Sequence, residues 1–287
     1  MNESNHHIVS PVRPVVVDAH LHVWKSDPSF PDPSVTPMSP TSDIRVELLD
    51  QYMDEHRVDR AVLVQPLYPG EDNSYVAHCA TRQPERFCAV CVVDSGAPKG
   101  VDQLSYWVTE KGCRGLRLRP VVESETPHFN HPATFAMWEK VESMGVVVSI
   151  LMNPSHLTDL EQLLQRFTTV PVLVDHMGLP NLEDGTGTAS IKALCALAKY
   201  RNLHVKVSGH YSFSQQSYPY QDCDEMFRQL VEHFGPSRLI WGSDFPHVLL
   251  HCGYRRARYQ IERSYPSLSS EDMDAIMGNN ALSLYWP

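Results

Sequence analysis

A chain of 287 residues, 42% of them hydrophobic, is long enough for one large barrel or two medium domains and apolar enough to bury a sizeable core. Its formal charge of −10 argues against the broad basic face that nucleic acid or an anionic membrane surface would need as a partner, and no apolar run reaches membrane-spanning length. Seven cysteines, an odd number without the dense spacing of a disulfide scaffold, point to a reducing compartment, the cytosol by default.

Residues 1–14 are polar, carry His6, His7, Pro11 and Pro14, and lack the hydrophobic centre of a secretory signal; they are expected to form a disordered tail before a single domain over 15–287. Residues 15–21 read as a buried β-branched strand, on which alternation places Asp18, His20 and His22 on one face. Two imidazoles side by side at a strand end suit a divalent metal. The connection over 25–43 is too rich in proline and polar residues to be a helix and is expected to help cover a pocket. Helices are predicted over 46–56, 74–81, 133–144 and 158–167, from apolar residues at three and four spacing. Gly145 should end the third of these.

Further strands are predicted over 59–65, 86–93, 113–118, 145–151, 170–176, 202–208 and 237–243. Cys88 and Cys91 form a C-x-x-C, but three residues apart on a strand they point to opposite faces and read as core thiols. Alternation puts Arg117 and Arg119 together on one face of the fourth strand. His156 reads as a first-turn helix residue, and His247 and His251, four apart, as a surface pair. A tyrosine-dense connection follows Gly209.

Strands recurring at roughly thirty-residue intervals with helical segments between them predict a (β/α)8 TIM barrel. A doubly wound open sheet is disfavoured, because no G-x-G-x-x-G follows the first strand. In a barrel the chemistry gathers at the C-terminal strand ends, where His20, His22, Arg117, His176, Lys206 and Asp244 all fall. Asp244 suits the general base of a hydrolysis, while His20 and His22 either hold a metal with it or donate hydrogen bonds directly. Arg117, Arg119 and Lys206 read equally as a pocket for an anionic small molecule or as partners in internal salt bridges with Asp18, Asp94 or Asp175. No G-x-S-x-G is present, which speaks against a serine nucleophile.

Four motifs, D-x-H-x-H-x-W over 18–24, V-D-H-x-G over 174–178, K-x-S-G over 206–209 and G-S-D-x-P over 242–246, together resemble the amidohydrolase superfamily. The match spans nearly everything after Val15. Within the superfamily the chain resembles the lactonase branch that includes pyrone-dicarboxylate lactonase, fuconolactonase, rhamnonolactonase and sulfomuconolactonase. That resemblance implies a barrel in which Asp244 activates water and His20, His22 and His176 line the site. It also implies that Arg117, Arg119 and Lys206 contact substrate carboxylate or hydroxyl groups, with Tyr211 nearby. The chain departs from metal-dependent members at the fifth strand, where Met152 and Asn153 stand in place of a ligating histidine, and it has no lysine for carboxylation at the fourth.

The departure argues against a binuclear centre and leaves two routes open: one divalent ion, zinc first, held by His20, His22 and Asp244, or a metal-free mechanism. The expected function is hydrolysis of a small, carboxylated lactone, with homo-oligomerisation open. The alternatives are lactone isomerisation, decarboxylation on the same barrel, and a catalytically inactive binding protein.

Overall fold

The β-branched runs condense into eight short parallel strands: β1 (Val17–Leu21), β2 (Arg60–Val64), β3 (Phe87–Val92), β4 (Gly115–Leu118), β5 (Val147–Ile150), β6 (Val172–Val174), β7 (Leu203–Val207) and β8 (Leu239–Trp241). The computed structural model describes residues 13–25, 43–66, 72–123, 126–182 and 187–287. Pairing runs without interruption from β1 to β8 in one eight-stranded sheet. The seam between β8 and β1 is stitched just past the strand ends, where the Asp244 N–H donates to the His20 carbonyl at 2.8 Å and the His22 N–H to the Phe245 carbonyl at 2.7 Å. The expected (β/α)8 barrel is therefore the observed one, nearly closed on itself.

Helices α1 (Val46–Glu55), α2 (Ser74–Arg82), α3 (Gly100–Thr109), α4 (Phe135–Met144), α5 (Leu157–Arg166), α6 (Gly187–Ala196), α7 (Asp224–Phe234) and α8 (Tyr254–Ser264) follow the strands in turn. Gly145 ends α4 at φ 64, a left-handed cap that favours glycine. His156 lies in the short turn just before α5, as its sequence context suggested. One element went unforeseen, a hairpin of Val121–Glu123 with Thr126–His128 after β4. Residues 1–12 of the expected tail and 26–42 of the proline-rich connection lie outside the described residues. Arg13, at the end of that tail, is ion-paired with Asp59.

Two apolar layers result. The larger fills the space between sheet and helices, and the smaller, including Val17, Val62, Cys88, Val90, Leu173 and Ile240, fills the barrel interior. Cys91 belongs to the first and Cys88 to the second, as strand alternation requires. At the N-terminal end the barrel is plugged by Tyr285 from α9 (Asn280–Tyr285), which reaches in beside Gly115. The preceding π-helical turn, Ala275–Asn279, approaches β1 so closely that a Cβ on Gly278 would lie 1.9 Å from the Val15 carbonyl oxygen.

Strand β1 corrects a prediction. Asp18 pairs with Ala61 and Leu21 with Leu63, three steps on one strand against two on the other, so β1 carries a bulge. Ala61 and Leu63 face the outer layer, and Asp18 and Leu21 face outward with them. His20 and His22 consequently point inward without Asp18. Asp18 instead accepts hydrogen bonds from the Ser243 N–H at 2.8 Å and the Tyr254 hydroxyl at 3.0 Å, tying β1 to the end of β8 and to α8. Burial pushes its carboxyl up to about 6, against those hydrogen bonds.

Candidate active site

At the C-terminal mouth of the barrel, Asp244 stands among three imidazoles. Its Oδ1 lies 3.4 Å from His22 Nε2 and 3.8 Å from His20 Nε2, and its Oδ2 lies 3.8 Å from His176 Nε2. The Tyr211 hydroxyl donates to Oδ2 at 2.5 Å, and the Tyr211 ring stacks on His251 with centroids 4.0 Å apart. These groups come from strands far apart in sequence and meet because β1, β6, β7 and β8 end at one level of the mouth.

The motif glycines make that meeting possible. A Cβ on Gly242 would sit 2.7 Å from the His20 Cβ, and one on Gly209 would sit 2.5 Å from His176 Nδ1. Gly209 also needs its φ of +65, a conformation other residues adopt only with strain. Each imidazole is held from behind. His22 Nδ1 meets the Val64 carbonyl at 2.8 Å, and His176 Nδ1 meets the Ser208 hydroxyl at 2.9 Å.

His20 Nδ1 meets the Lys206 ammonium at 3.1 Å, which opens onto a polar layer beneath the mouth. Lys206 has no exposed surface; it reaches Ser149 Oγ at 2.7 Å and Asp175 Oδ1 at 3.0 Å, and Ser149 in turn donates to Asp175 Oδ1 at 2.7 Å. Arg117 Nε faces Asp175 Oδ2 at 3.4 Å. Of the two sequence readings for the cations, internal salt bridging describes Lys206, and Asp175 is the partner. Lys206 therefore lies under the pocket floor, ion-paired with Asp175. Arg117 is 4% exposed and Arg119 is half-buried beyond the end of β4. Asp94 is engaged in a local turn, accepting from the Gly96 N–H at 3.0 Å.

The electrostatics follow from this packing. Burial pushes the Asp244 carboxyl up, but the imidazoles of His176, His22 and His20 outweigh it and hold the group well below the usual carboxylate range. Burial likewise opposes ionisation of Asp175, and Lys206, His20 and Arg117 overcome it. Burial drives His20 and His176 down, against the charges of Asp175 and Asp244.

Among the described residues, two overlapping groups could hold a metal ion: His20, His176 and Asp244, and His22, Asp244 and His247. The trio read from sequence, His20, His22 and Asp244, is divided between them, with Asp244 common to both. His247 was read as a surface residue and is corrected here. Its ring packs edge-on to His22 with centroids 5.5 Å apart, and burial, followed by the field of His22, pushes its pKa down to about 4. The only sequence signal for it was its place directly after G-S-D-x-P. Ser149 was missed as well, and its signal was a hydroxyl on the inward face of an otherwise apolar strand.

Comparison with known proteins agrees with this architecture. The chain is 26% identical over 236 residues to an L-fucono-1,5-lactonase of Burkholderia ambifaria, covering 80% of each protein. It is 28% identical over 248 residues to a 4-sulfomuconolactone hydrolase of Hydrogenophaga intermedia, covering 84% of this chain and 79% of that one. Its fold superposes on the crystal structure of an amidohydrolase from Burkholderia multivorans with bound zinc at a TM-score of 0.80 and 20% identity, over 95% of this chain and 99% of that one. A family model described as amidohydrolase matches residues 17–286, and the chain belongs to the amidohydrolase family.

Proposed function

We propose that this enzyme hydrolyses a small, carboxylated lactone with Asp244 as the general base. The observation that carries the reading is the Asp244 Oδ1 atom, buried and without a hydrogen-bond partner among the described residues, yet facing His22 Nε2 at 3.4 Å and His20 Nε2 at 3.8 Å. An ionised oxygen so placed takes a proton from a water held against it. The sequence relatives that hydrolyse or are named for lactones support ring opening as the reaction.

In that reaction the water oxygen bonds to the lactone carbonyl carbon while its proton passes to Asp244 Oδ1. The carbonyl oxygen gains the negative charge and is stabilised by imidazole N–H groups of the cluster. The ring C–O bond then breaks, and the departing alkoxide takes the proton from Asp244, leaving a hydroxy acid and the starting carboxylate. Tyr211, through Oδ2, fixes the plane in which Oδ1 meets water. Burial, then the adjoining Asp244 charge, raises the Tyr211 pKa, so it remains a donor throughout.

Arg117 is buried near the C-terminal end of β4, with its Nε 3.4 Å from Asp175 Oδ2. With Arg119 it is the proposed receptor for a substrate carboxylate, which a guanidinium binds in a two-point fork. Among the described residues Asp244 Oδ1 has no hydrogen-bond partner, and with the imidazole nitrogens around it the donor set fits a divalent ion of the zinc type. His22, His247 and Asp244, or His20, His176 and Asp244, would hold it. Bound there it would polarise the lactone carbonyl. Seven free thiols, six of them buried, support a reducing compartment such as the cytoplasm.

Replacing Asp244 by Asn is expected to lower kcat by about 10³-fold or more while the circular dichroism spectrum stays unchanged. Hydrolysis in ¹⁸O-water should place solvent oxygen in the product carboxylate. Wild-type turnover by Asp244→Asn, or product without solvent oxygen, would refute the proposal, the second outcome in favour of isomerisation.

A further inference from the structure

We propose that Lys206 is a positioning residue that keeps the proton of His20 on Nε2, so that His20 faces the pocket as a hydrogen-bond donor while its neighbour His22 faces it as an acceptor.

The number of protons these groups carry fixes the tautomer. An ammonium group has three, and Lys206 Nζ has three partners: Ser149 Oγ at 2.7 Å, Asp175 Oδ1 at 3.0 Å and His20 Nδ1 at 3.1 Å. Ser149 spends its own proton on Asp175 Oδ1 and is free to accept from the lysine. Every polar atom of the set is satisfied when His20 Nδ1 accepts. If Nδ1 carried the proton instead, an imidazole N–H would confront an ammonium N–H at 3.1 Å where Lys206 and His20 are both fully buried and no water can intervene. Asp175 Oδ1, at 3.4 Å from His20 Nδ1, is the competing acceptor, and Lys206 and Ser149 already lie closer to it.

His22 shows the opposite case. Its Nδ1 faces the Val64 carbonyl at 2.8 Å, which can only accept, so Nδ1 holds the proton and Nε2 is bare in the neutral ring. The two histidines of one H-x-H therefore present opposite faces to Asp244 Oδ1. His20 Nε2–H, buried and without an acceptor among the described residues, is aimed where a substrate oxygen can take its hydrogen bond. His22 Nε2 receives one from the attacking water or offers its lone pair to a cation. A divalent ion is accordingly directed to His22, His247 and Asp244 rather than to His20. The tautomer stands on these contacts alone. The identity of the oxygen that His20 serves rests on the lactone-opening reading.

The test is nitrogen NMR of the chelator-treated, ¹⁵N-labelled full chain, with His20 and His22 signals assigned by His20→Gln and His22→Gln. His20 should show a protonated-type Nε2 and an unprotonated-type Nδ1, with His22 the reverse. A proton on His20 Nδ1, alone or with Nε2, overturns the proposal. In Lys206→Met the His20 proton should move to Nδ1, toward Asp175, with His22 unchanged, and kcat should fall at least about tenfold with a smaller change in KM. Retention of the Nε2 tautomer in that variant also overturns it. Should Lys206→Met fail to fold, the wild type decides through a scalar coupling across the Lys206 Nζ to His20 Nδ1 hydrogen bond, whose absence counts against the proposal. None of these spectra needs substrate, so a mistaken lactone assignment and a mistaken tautomer are separately visible.

Discussion

Asp244 and His176 both occupy the left-handed region, at φ 59 and φ 51. For residues with a Cβ this conformation costs about 1–2 kcal/mol each, less for aspartate, whose short polar side chain tolerates it. It persists at Asp244 because the backbone on either side is fixed by the seam, through Ser243 to Asp18 and Asp244 to the His20 carbonyl. Two neighbouring glycines share in the arrangement, and Gly209 offers a clean probe. Gly209→Ala adds left-handed strain and drives a methyl into the His176 ring at 2.5 Å. A destabilisation of about 1–3 kcal/mol in denaturant titration is expected, with a kcat loss of about tenfold or more as His176 is displaced. Loss of stability with unchanged kcat would remove His176 from the mechanism. At this scale the residues that meet around Asp244 were largely legible in sequence, since histidine and aspartate at strand ends announce themselves. His247 did not, because nothing local shows that the chain after Pro246 turns back over His22.

Strand β1 shows how far periodicity carries and where it stops. Alternation correctly turned His20 and His22 to one face, but a single extra residue in the ladder sent Asp18 to the other. No residue type in VVVDAHL marks that bulge; it is set by pairing with β2 and by the partners awaiting Asp18 outside the barrel. The C-terminal segment likewise acquires its meaning only when folded. Tyr285 is fully buried in the inner core, at the opposite end of the barrel from Asp244. Tyr285→Ala should cost about 3–5 kcal/mol in unfolding free energy through the cavity it leaves. The kcat of the folded fraction should be nearly unchanged, and a parallel fall in kcat would mean that the plug and the site are coupled.

Across the whole molecule, the interior of the mouth balances Arg117 and Lys206 against Asp175 and Asp244, all of them nearly or wholly buried. That balance limits how much further positive charge the pocket accommodates. With His20 turned into a donor, zinc should bind only weakly in calorimetric titration, and chelator-treated enzyme should keep its activity to within about tenfold. Tight zinc binding with turnover wholly dependent on it would reverse this expectation.

The sequence by itself determined the eightfold βα repeat, the rim on which the polar residues gather, and the inward face of His20, His22 and Arg117, because strand periodicity and helix spacing are local properties of the chain. Only the tertiary structure decided depth and register: that Lys206 lies beneath the histidines and is ion-paired with Asp175, that Asp18 ties the seam from outside, and that His247 packs against His22. Those outcomes depend on how far each strand is displaced along the barrel axis relative to its neighbours, a quantity fixed by pairing between segments as much as two hundred residues apart.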